Sequence, residues 1–309
     1  MATPFALRLS GDDTAAMLSA GLFRVMAAEH QLNQLNVFPI PDGDTGTNMS
    51  RTVAAVLQAI SHSGPYASPH EVLATAAREA LLAARGNSGV ILAEVFRGLA
   101  AGVAGGTVLD APASLAALQR ARDFAYQAVA RPVEGTVLTA LAEAAGRVDQ
   151  CIAQGQVDQH AVWQAAAEGA REATTRGPEL LPVLREHGVV DAAALGLCYW
   201  FAGMVEWLEG HGPAEAAVGS MTAVGAAPAV DPSAPFGWEV QFLLSASASR
   251  AEIKEALEGL GESLVVSGGD GLYRVHIHTE APEPVLVRAR SLGIVTRPTV
   301  DVLTSREAD

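Results

Sequence analysis

Asn36-Val37-Phe38-Pro39-Ile40-Pro41-Asp42-Gly43-Asp44-Thr45-Gly46-Thr47-Asn48-Met49 is the stretch of the 309-residue chain from which the rest can be read. Pro39 and Pro41 each fix φ and stiffen the approach to an acidic turn. One glycine separates Asp42 from Asp44, so both carboxylates can turn towards one point. Hard cations such as Mg2+ take such oxygen ligands, usually one or two carboxylates completed by phosphate and water. Asn36 offers a further, neutral oxygen. Thr45 to Asn48 then open a helix, whose N–H groups attract phosphate. One loop therefore offers metal ligands and a phosphate cradle. The plain alternative is a Pro/Asp/Gly turn that caps a helix. An EF-hand fits poorly, because the closing glutamate of such a loop is absent.

Composition narrows the classes. The net charge of −14 argues against non-specific nucleic-acid binding, which needs a basic face. The longest uncharged apolar run, Ala192 to Val205, is shorter than the roughly 20 residues of a membrane span and reads as a buried helix. Arg8, Asp12 and Asp13 interrupt the N-terminal region, so a signal peptide is not expected. Cys151 and Cys198 are isolated and fit reduced core thiols of a cytoplasmic protein. Lys254 is the single lysine. A Walker A loop needs a lysine after glycine and is therefore excluded. No GxGxxG opens a helix after a strand either, so a nucleotide would have to be bound by another route.

Two periodicities divide the chain. Half the residues are hydrophobic, with alanine the commonest of them, and aromatics make up 5%, a helix-leaning balance. Residues 10–208 read as successive helices. Ser10 with Asp13 has capping-box spacing. Within 117–130, Leu118, Ala121, Phe124, Ala125, Ala128 and Val129 recur at helical intervals, and 70–84, 136–153, 160–175 and 192–208 behave alike. The Gly/Pro/Ala-rich stretch 211–235 reads as a linker. Beyond it, strands are expected at 238–245, 263–267, 272–279 and 294–303, and helices at 250–260 and 284–292. The order βαββαβ suggests a ferredoxin-like sandwich with helices on one face. The expected organisation is an α+β two-domain chain: a helical domain over 1–210, the linker, and a small α/β domain over 236–309.

The acidic loop resembles the signature of bacterial fatty acid kinase ATP-binding subunits, whose N-terminal domain is similar to the ATP-binding L subunit of dihydroxyacetone kinase (the DhaL domain). Three more blocks follow in the same order: Ala84-Arg85-Gly86-Asn87-Ser88-Gly89-Val90-Ile91-Leu92, Pro132-Val133-Glu134-Gly135-Thr136-Val137-Leu138-Thr139, and Leu181 to Ala192. The downstream region resembles the family's middle domain. The resemblance implies an antiparallel barrel of helices with ATP at one rim. It implies Mg2+ held by Asp42 and Asp44, with Asn36 near the place of a third aspartate in the dihydroxyacetone enzymes. Thr45, Gly46, Thr47 and Asn48 match phosphate-contacting positions, Asn87 and Ser88 another nucleotide-contacting pair. Thr136 is a candidate nucleotide contact and Asp191 matches an aspartate near the nucleotide. Plain alternatives stand beside these. Gly86-Asn87 could close the preceding helix, Glu134-Gly135-Thr136 could simply start one, and Asp191 could N-cap the helix 192–208.

Two departures matter. The family's full chains carry a further large C-terminal region, so this chain is either a short member or a piece without the acceptor-docking part. The family's middle domain also has a cysteine in its first strand, where this chain carries Glu239. His276 and His278 alternate on a strand and point to one face. With Glu239 from a neighbouring strand they could share Zn2+, and the alternative is a pair of hydrogen-bonded strand histidines. The leading functional expectation is a Mg2+- and ATP-dependent phosphotransferase subunit that phosphorylates a fatty acid carboxylate presented by a separate acyl-binding protein. A carboxylate is already anionic near neutral pH and needs no general base. The alternatives are an L-subunit-like kinase with a hydroxyl acceptor, and a non-catalytic nucleotide-binding scaffold. The resemblance also suggests a homodimer.

Overall fold

The computed structural model describes residues 7–211 and 237–303. The expected linker, apart from His211, lies outside the described residues. The helical part runs α1 (Gly11–Ala27), α2 (Glu29–Gln34), α3 (Thr45–Ser63), α4 (Pro69–Ala83), α5 (Gly86–Gly102), α6 (Ala111–Ala128), α7 (Val137–Ala153), α8 (Gln159–Leu180), α9 (Pro182–His187) and α10 (Ala192–Leu208). Local chemistry sets the starts. Ser10 and Asp13 form the capping box of α1. Ser68, Asp110, Asp158 and Asp191 each accept an N–H from the first turn of the helix they precede.

Contacts pass from α1 to α3, α4, α5, α6, α7, α8 and α10 and back to α1, closing a ring of eight helices. Short connections make ring neighbours antiparallel. Small residues let the helices approach closely. A Cβ on Gly98 would sit 2.3 Å from the Ala121 backbone, and one on Gly102 would sit 2.4 Å from that of Ala117. The apolar run that reads as a buried helix is α10, with Trp200, Phe201 and Met204 sealed in the ring's core. No described helix is long and apolar enough to cross a membrane.

The second part runs β1 (Trp238–Ser245), α11 (Arg250–Leu257), β2 (Glu262–Gly269), β3 (Leu272–Thr279), α12 (Pro282–Leu292) and β4 (Ile294–Val302). The sheet order is β2-β3-β1-β4, with antiparallel pairing throughout. This is the order expected of a ferredoxin-like βαββαβ unit. One face carries Val240, Phe242, Leu244, Leu264, Val266, Val275 and Ile277, which form a core with Ile253, Leu257, Val285 and Ala289 of α11 and α12. The period of two sends Glu239, Gln241, Arg274, His276 and His278 to the opposite face.

That polar face meets the helical ring. The Gly86 N–H donates to Gln241 Oε1 at 3.1 Å. Val129 pairs with Val265 as an isolated bridge, and the Ala130 N–H donates to the Leu264 carbonyl. Lys254 is used here: its Nζ donates to the carbonyls of Gln127 and Val129 at the C-terminal end of α6, where a cation complements the helix dipole. Glu94 of α5, fully buried, accepts from Arg97, Arg250 Nη1, Ser267 Oγ and the Gly268 N–H. The Gly86-Asn87 alternative is overturned. α4 ends at Ala83 with Ala84 as its C-cap, and these residues open α5; Gly86 takes φ +60°, and a Cβ there would meet Asn48 Nδ2 at 2.2 Å.

Candidate functional site

Alternation around an antiparallel ring sends every second helix the same way, so the N-termini of α3, α5, α7 and α10 share one rim. A cavity of about 380 Å3 opens there, lined by Thr45, Asn87, Ser88, Thr136, Asp191 and Ala193 at those four helix starts. Ile91, Val133 and Leu138 give it an apolar wall, and Ser263, Leu264 and Val265 of β2 cover it from the second part. Converging N-termini supply positive potential without lysine. No side chain caps α5, which leaves the N–H groups of Asn87 and Ser88 in its first turn open to a ligand. Asn87 Oδ1 is buried and has no partner among the described residues.

The start of α3 departs from the sequence expectation. Its first N–H groups are largely occupied: that of Thr45 donates to Asn36 Oδ1, that of Thr47 to Asn33 Oδ1, and that of Asn48 to the Asp44 carbonyl. Gly46 is there for packing, since a Cβ would meet the Glu29 carbonyl at 2.1 Å. Asn36 is buried and braces the loop. Its oxygen also accepts from the Thr45 hydroxyl, and its Nδ2 donates to the Ile40 carbonyl at 2.6 Å and to Asp42 Oδ1 at 3.1 Å. Its side chain thus turns a donor, not an oxygen, towards Asp42. Thr136 caps α7. Asp191 Oδ1 accepts from both Ala194 and Val137, tying α10 to α7 at the cavity wall. Burial pushes the Asp191 carboxyl up to about 6 against those two hydrogen bonds.

Asp42 and Asp44 lie together on the braced loop. Burial pushes the Asp42 carboxyl up to about 8, with the charge of Asp44, the hydrogen bond that protonated Asp42 donates to Asp44 and the more distant Glu239 adding to the effect. Burial and the charge of Glu239 also raise Asp44. Asp44 precedes α3 without spending its side chain on a cap. Two half-buried carboxyls that resist joint ionisation form a donor set that suits a hard divalent cation.

Glu239, His276 and His278 converge from β1 and β3, with one ligand atom from each within 4.8 Å of the others. His276 Nε2 and His278 Nε2 are 3.0 Å apart. Glu239 Oε1 lies 3.1 Å from His276 Nδ1, which is not aligned as a hydrogen bond, and accepts from Gln241 Nε2 at 2.7 Å. Burial, then the neighbouring His276, drives His278 down to about 3, so its ring is neutral. Two imidazoles and a carboxylate are a chemically suitable set for Zn2+, short of a fourth ligand. Glu239 and His276 also reach Asp44 electrostatically, so the two clusters face each other across the junction. Sequence reasoning missed Arg85, Gln241, Arg274 and the β2 cover. The only local signal was the alternation of Glu239 with Gln241 on one strand face.

The raised Asp42 carboxyl gives a signed pH dependence. The folded chain binds this proton more tightly than the unfolded chain, so the contribution to stability is present at low pH and lost as pH rises from about 4 towards about 8. A divalent cation competes with the same proton. Added Mg2+ should therefore raise Tm little at pH 6 and clearly more at pH 8.5, as read by scanning calorimetry. Equal increments at both pH values would contradict the placement.

Comparison with known proteins follows the same two-part division. The DAK2 domain family profile matches residues 39–206, and that of the FakA-like middle domain of fatty acid kinase matches residues 235–308. Protein YloV of Bacillus subtilis (strain 168) is 34% identical over 299 residues, which cover 92% of this chain and 54% of YloV. The uncharacterized protein SERP0792 of Staphylococcus epidermidis is 29% identical over 308 residues, covering 93% of this chain and 54% of that protein. The chain thus spans about half the length of the curated relatives it matches. The dihydroxyacetone kinase from C. freundii, solved in complex with AMP-PNP and Mg2+, superposes with a TM-score of 0.49 at 19% identity, over 63% of this chain and 33% of that one.

Proposed function

The chain belongs to the DAK2-domain family, followed by a FakA-like middle domain, and on that premise we propose that it is the Mg2+- and ATP-binding subunit of a phosphotransferase whose acceptor is a fatty acid carboxylate. The observation that carries this reading is the convergence of four helix N-termini on one cavity beside the half-buried Asp42–Asp44 pair. Asp42 and Asp44 would hold Mg2+, which when bound offsets the charge that builds on the transferring phosphoryl group. The chain's own residues do the positioning. Asn36 and Asn33 hold the loop and the first turn of α3 rigid. The uncapped N–H groups of Asn87 and Ser88 are offered to phosphate, and Thr136 and Asp191 fix the opposite wall. Leu264 and Val265 exclude water from above.

The acceptor would be brought by a separate acyl-binding protein. A carboxylate oxygen attacks the terminal phosphorus, the bridging P–O bond breaks, and ADP leaves with the electron pair. No proton has to be removed from the acceptor, so no general base is required. The facing Glu239, His276 and His278 are proposed as a Zn2+-competent set at the acceptor side, checked by metal analysis of the chain against Glu239→Gln.

The test is transfer from terminally labelled ATP to two acceptors, a fatty acid loaded on an acyl-binding protein and free dihydroxyacetone. The expected product is an acyl phosphate, recognised because hydroxylamine converts it to a hydroxamate. Label stable to hydroxylamine and found only with dihydroxyacetone would overturn the carboxylate reading. ATP binding without transfer to either would favour a nucleotide-binding scaffold.

A further inference from the structure

A second charged centre lies on the same sheet face and is not used by the chemistry above. Arg274 stands in the middle of β3, in line with His276 and His278, and is 5% exposed. Its buried Nε has no hydrogen-bond partner, and it makes no ion pair among the described residues. A guanidinium cannot shed its charge to escape burial, so one so placed is ordinarily matched to a carboxylate or another oxyanion. Here the surroundings have the wrong sign. Arg85 and Arg297 add like charge around Arg274, and Glu239 alone opposes them. Glu239 already accepts from Gln241.

The backbone is shaped around the same spot. The pairing of β4 with β1 slips between Gln241 and Leu243, and Arg297 sits in that bulge at φ 51°. A non-glycine residue held there marks a bulge that re-aims a side chain. Gln241 pairs with His276 on one side and with Thr299 on the other, which places Thr299 in rank with the histidines. Its Oγ1 is a second buried polar atom without a partner. Arg274 does not line the cavity at the helix N-termini, so the missing counter-ion is not a group held within that cavity.

We propose that Arg274, with Arg297 and Arg85, forms an oxyanion site that receives the carboxylate of the acceptor and orients it towards the Asp42–Asp44 pair. The proposal rests on the phosphotransferase reading. It assigns acceptor recognition to the sheet and nucleotide recognition to the ring. An arginine fork matches a carboxylate in two parallel hydrogen bonds, a geometry that lysine cannot copy.

The test uses the whole chain with Mg2+ and a non-hydrolysable ATP analogue, titrated with carboxyl-13C octanoate or with inorganic phosphate and followed by NMR. Arg274→Gln should weaken octanoate binding by about tenfold or more, while Arg274→Lys should keep part of it. Arg297→Asn, at an exposed position whose backbone suits asparagine, should cost about threefold and guards against misfolding of the buried variant. Affinity for the ATP analogue, read in the same samples, should stay within about twofold throughout. Octanoate binding that ignores both substitutions, or fails in the unaltered chain, overturns the proposal. So does phosphate binding that the ATP analogue displaces, since the arginines would then serve the nucleotide. Failure of the phosphotransferase reading shows separately, as absence of analogue binding to the unaltered chain.

Discussion

Asp42→Asn should abolish Mg2+-dependent ATP binding while making the metal-free chain more stable above neutral pH. The two effects have opposite signs because one arrangement causes both. Asp42 is half-buried beside Asp44, with Glu239 close enough to add its charge, and its carboxyl is held up to about 8. At pH 8 the folded chain must either keep that proton or ionise against its neighbours, and both cost stability. Asparagine has the same shape and removes the repulsion, and its amide can still meet the Asn36 side chain 3.1 Å away. What it cannot replace is one of two charged oxygen ligands. Binding of Mg2+ with ATP, read by calorimetry, should fall on the order of 100-fold, about 2.7 kcal/mol. Tm without metal at pH 8 should rise. A merely structural Asp42 would behave oppositely: the variant would lose Tm and keep nucleotide affinity. Asp44→Asn should follow the same pattern with a smaller gain in stability, because its side chain also meets Asn48.

This opposition explains which parts of the site could be read from the sequence. Asp42, Asp44 and the start of α3 are contiguous, and the chemistry of contiguous residues shows in their order. The four helix starts lie up to about 150 residues apart along the chain, from Thr45 to Ala192, yet the short connections already imply that alternate helices point the same way. The rim itself came from the family resemblance, because the periodic stretches left out the helix that starts at Gly86. The roles within it were less legible. Asn36 was expected to turn an oxygen to the metal, but that oxygen is spent on Thr45. Nothing in the local sequence says which end of an asparagine amide faces which neighbour. Gly46 reads as a phosphate-loop glycine, and its lack of a side chain also lets α3 touch α2.

The strands of the second part were found nearly to the residue, because alternation of Val240, Phe242 and Leu244 against Glu239 and Gln241 fixes both period and face. What alternation cannot disclose is the partner of the polar face. Glu239, His276 and His278 look like solvent-side residues until the helical ring is set against them. Arg274 looks like an ordinary surface arginine in sequence and is 5% exposed in the structure. The lone lysine shows the same limit. Its scarcity excluded a Walker loop, but its use at the end of α6 depends on a contact 125 residues away.

Glu94→Ala should be the most destabilising single substitution at the junction, and it should weaken nucleotide binding without touching the cavity. Glu94 is fully buried, and its two oxygens accept from Arg97, Arg250, Ser267 and the Gly268 N–H, three of them from the second part. Arg97 also donates to the Gly268 carbonyl at 2.6 Å, and both arginines lie over the Phe124 ring, at 5.3 Å and 5.8 Å. Removing the carboxylate leaves two guanidinium groups facing each other and two donors unmatched. Breaking a buried pair in this way costs about 3–5 kcal/mol, a fall in Tm of roughly 10 °C for a chain of this size. Ser267 and Gly268 continue β2 directly from Leu264 and Val265, which cover the cavity, so a loosened β2 should raise the Kd for the ATP analogue by about tenfold. The electrostatic origin is separable from packing. Glu94→Gln with Arg250→Met removes a charge from each side and fills the space. If the cluster couples the two parts, the double variant should recover at least about 1 kcal/mol relative to the sum of the single changes. Additive losses would mean that Glu94 only fills volume, and a Glu94→Ala chain that melts and binds nucleotide as the unaltered protein does would remove it as the tie between ring and sheet.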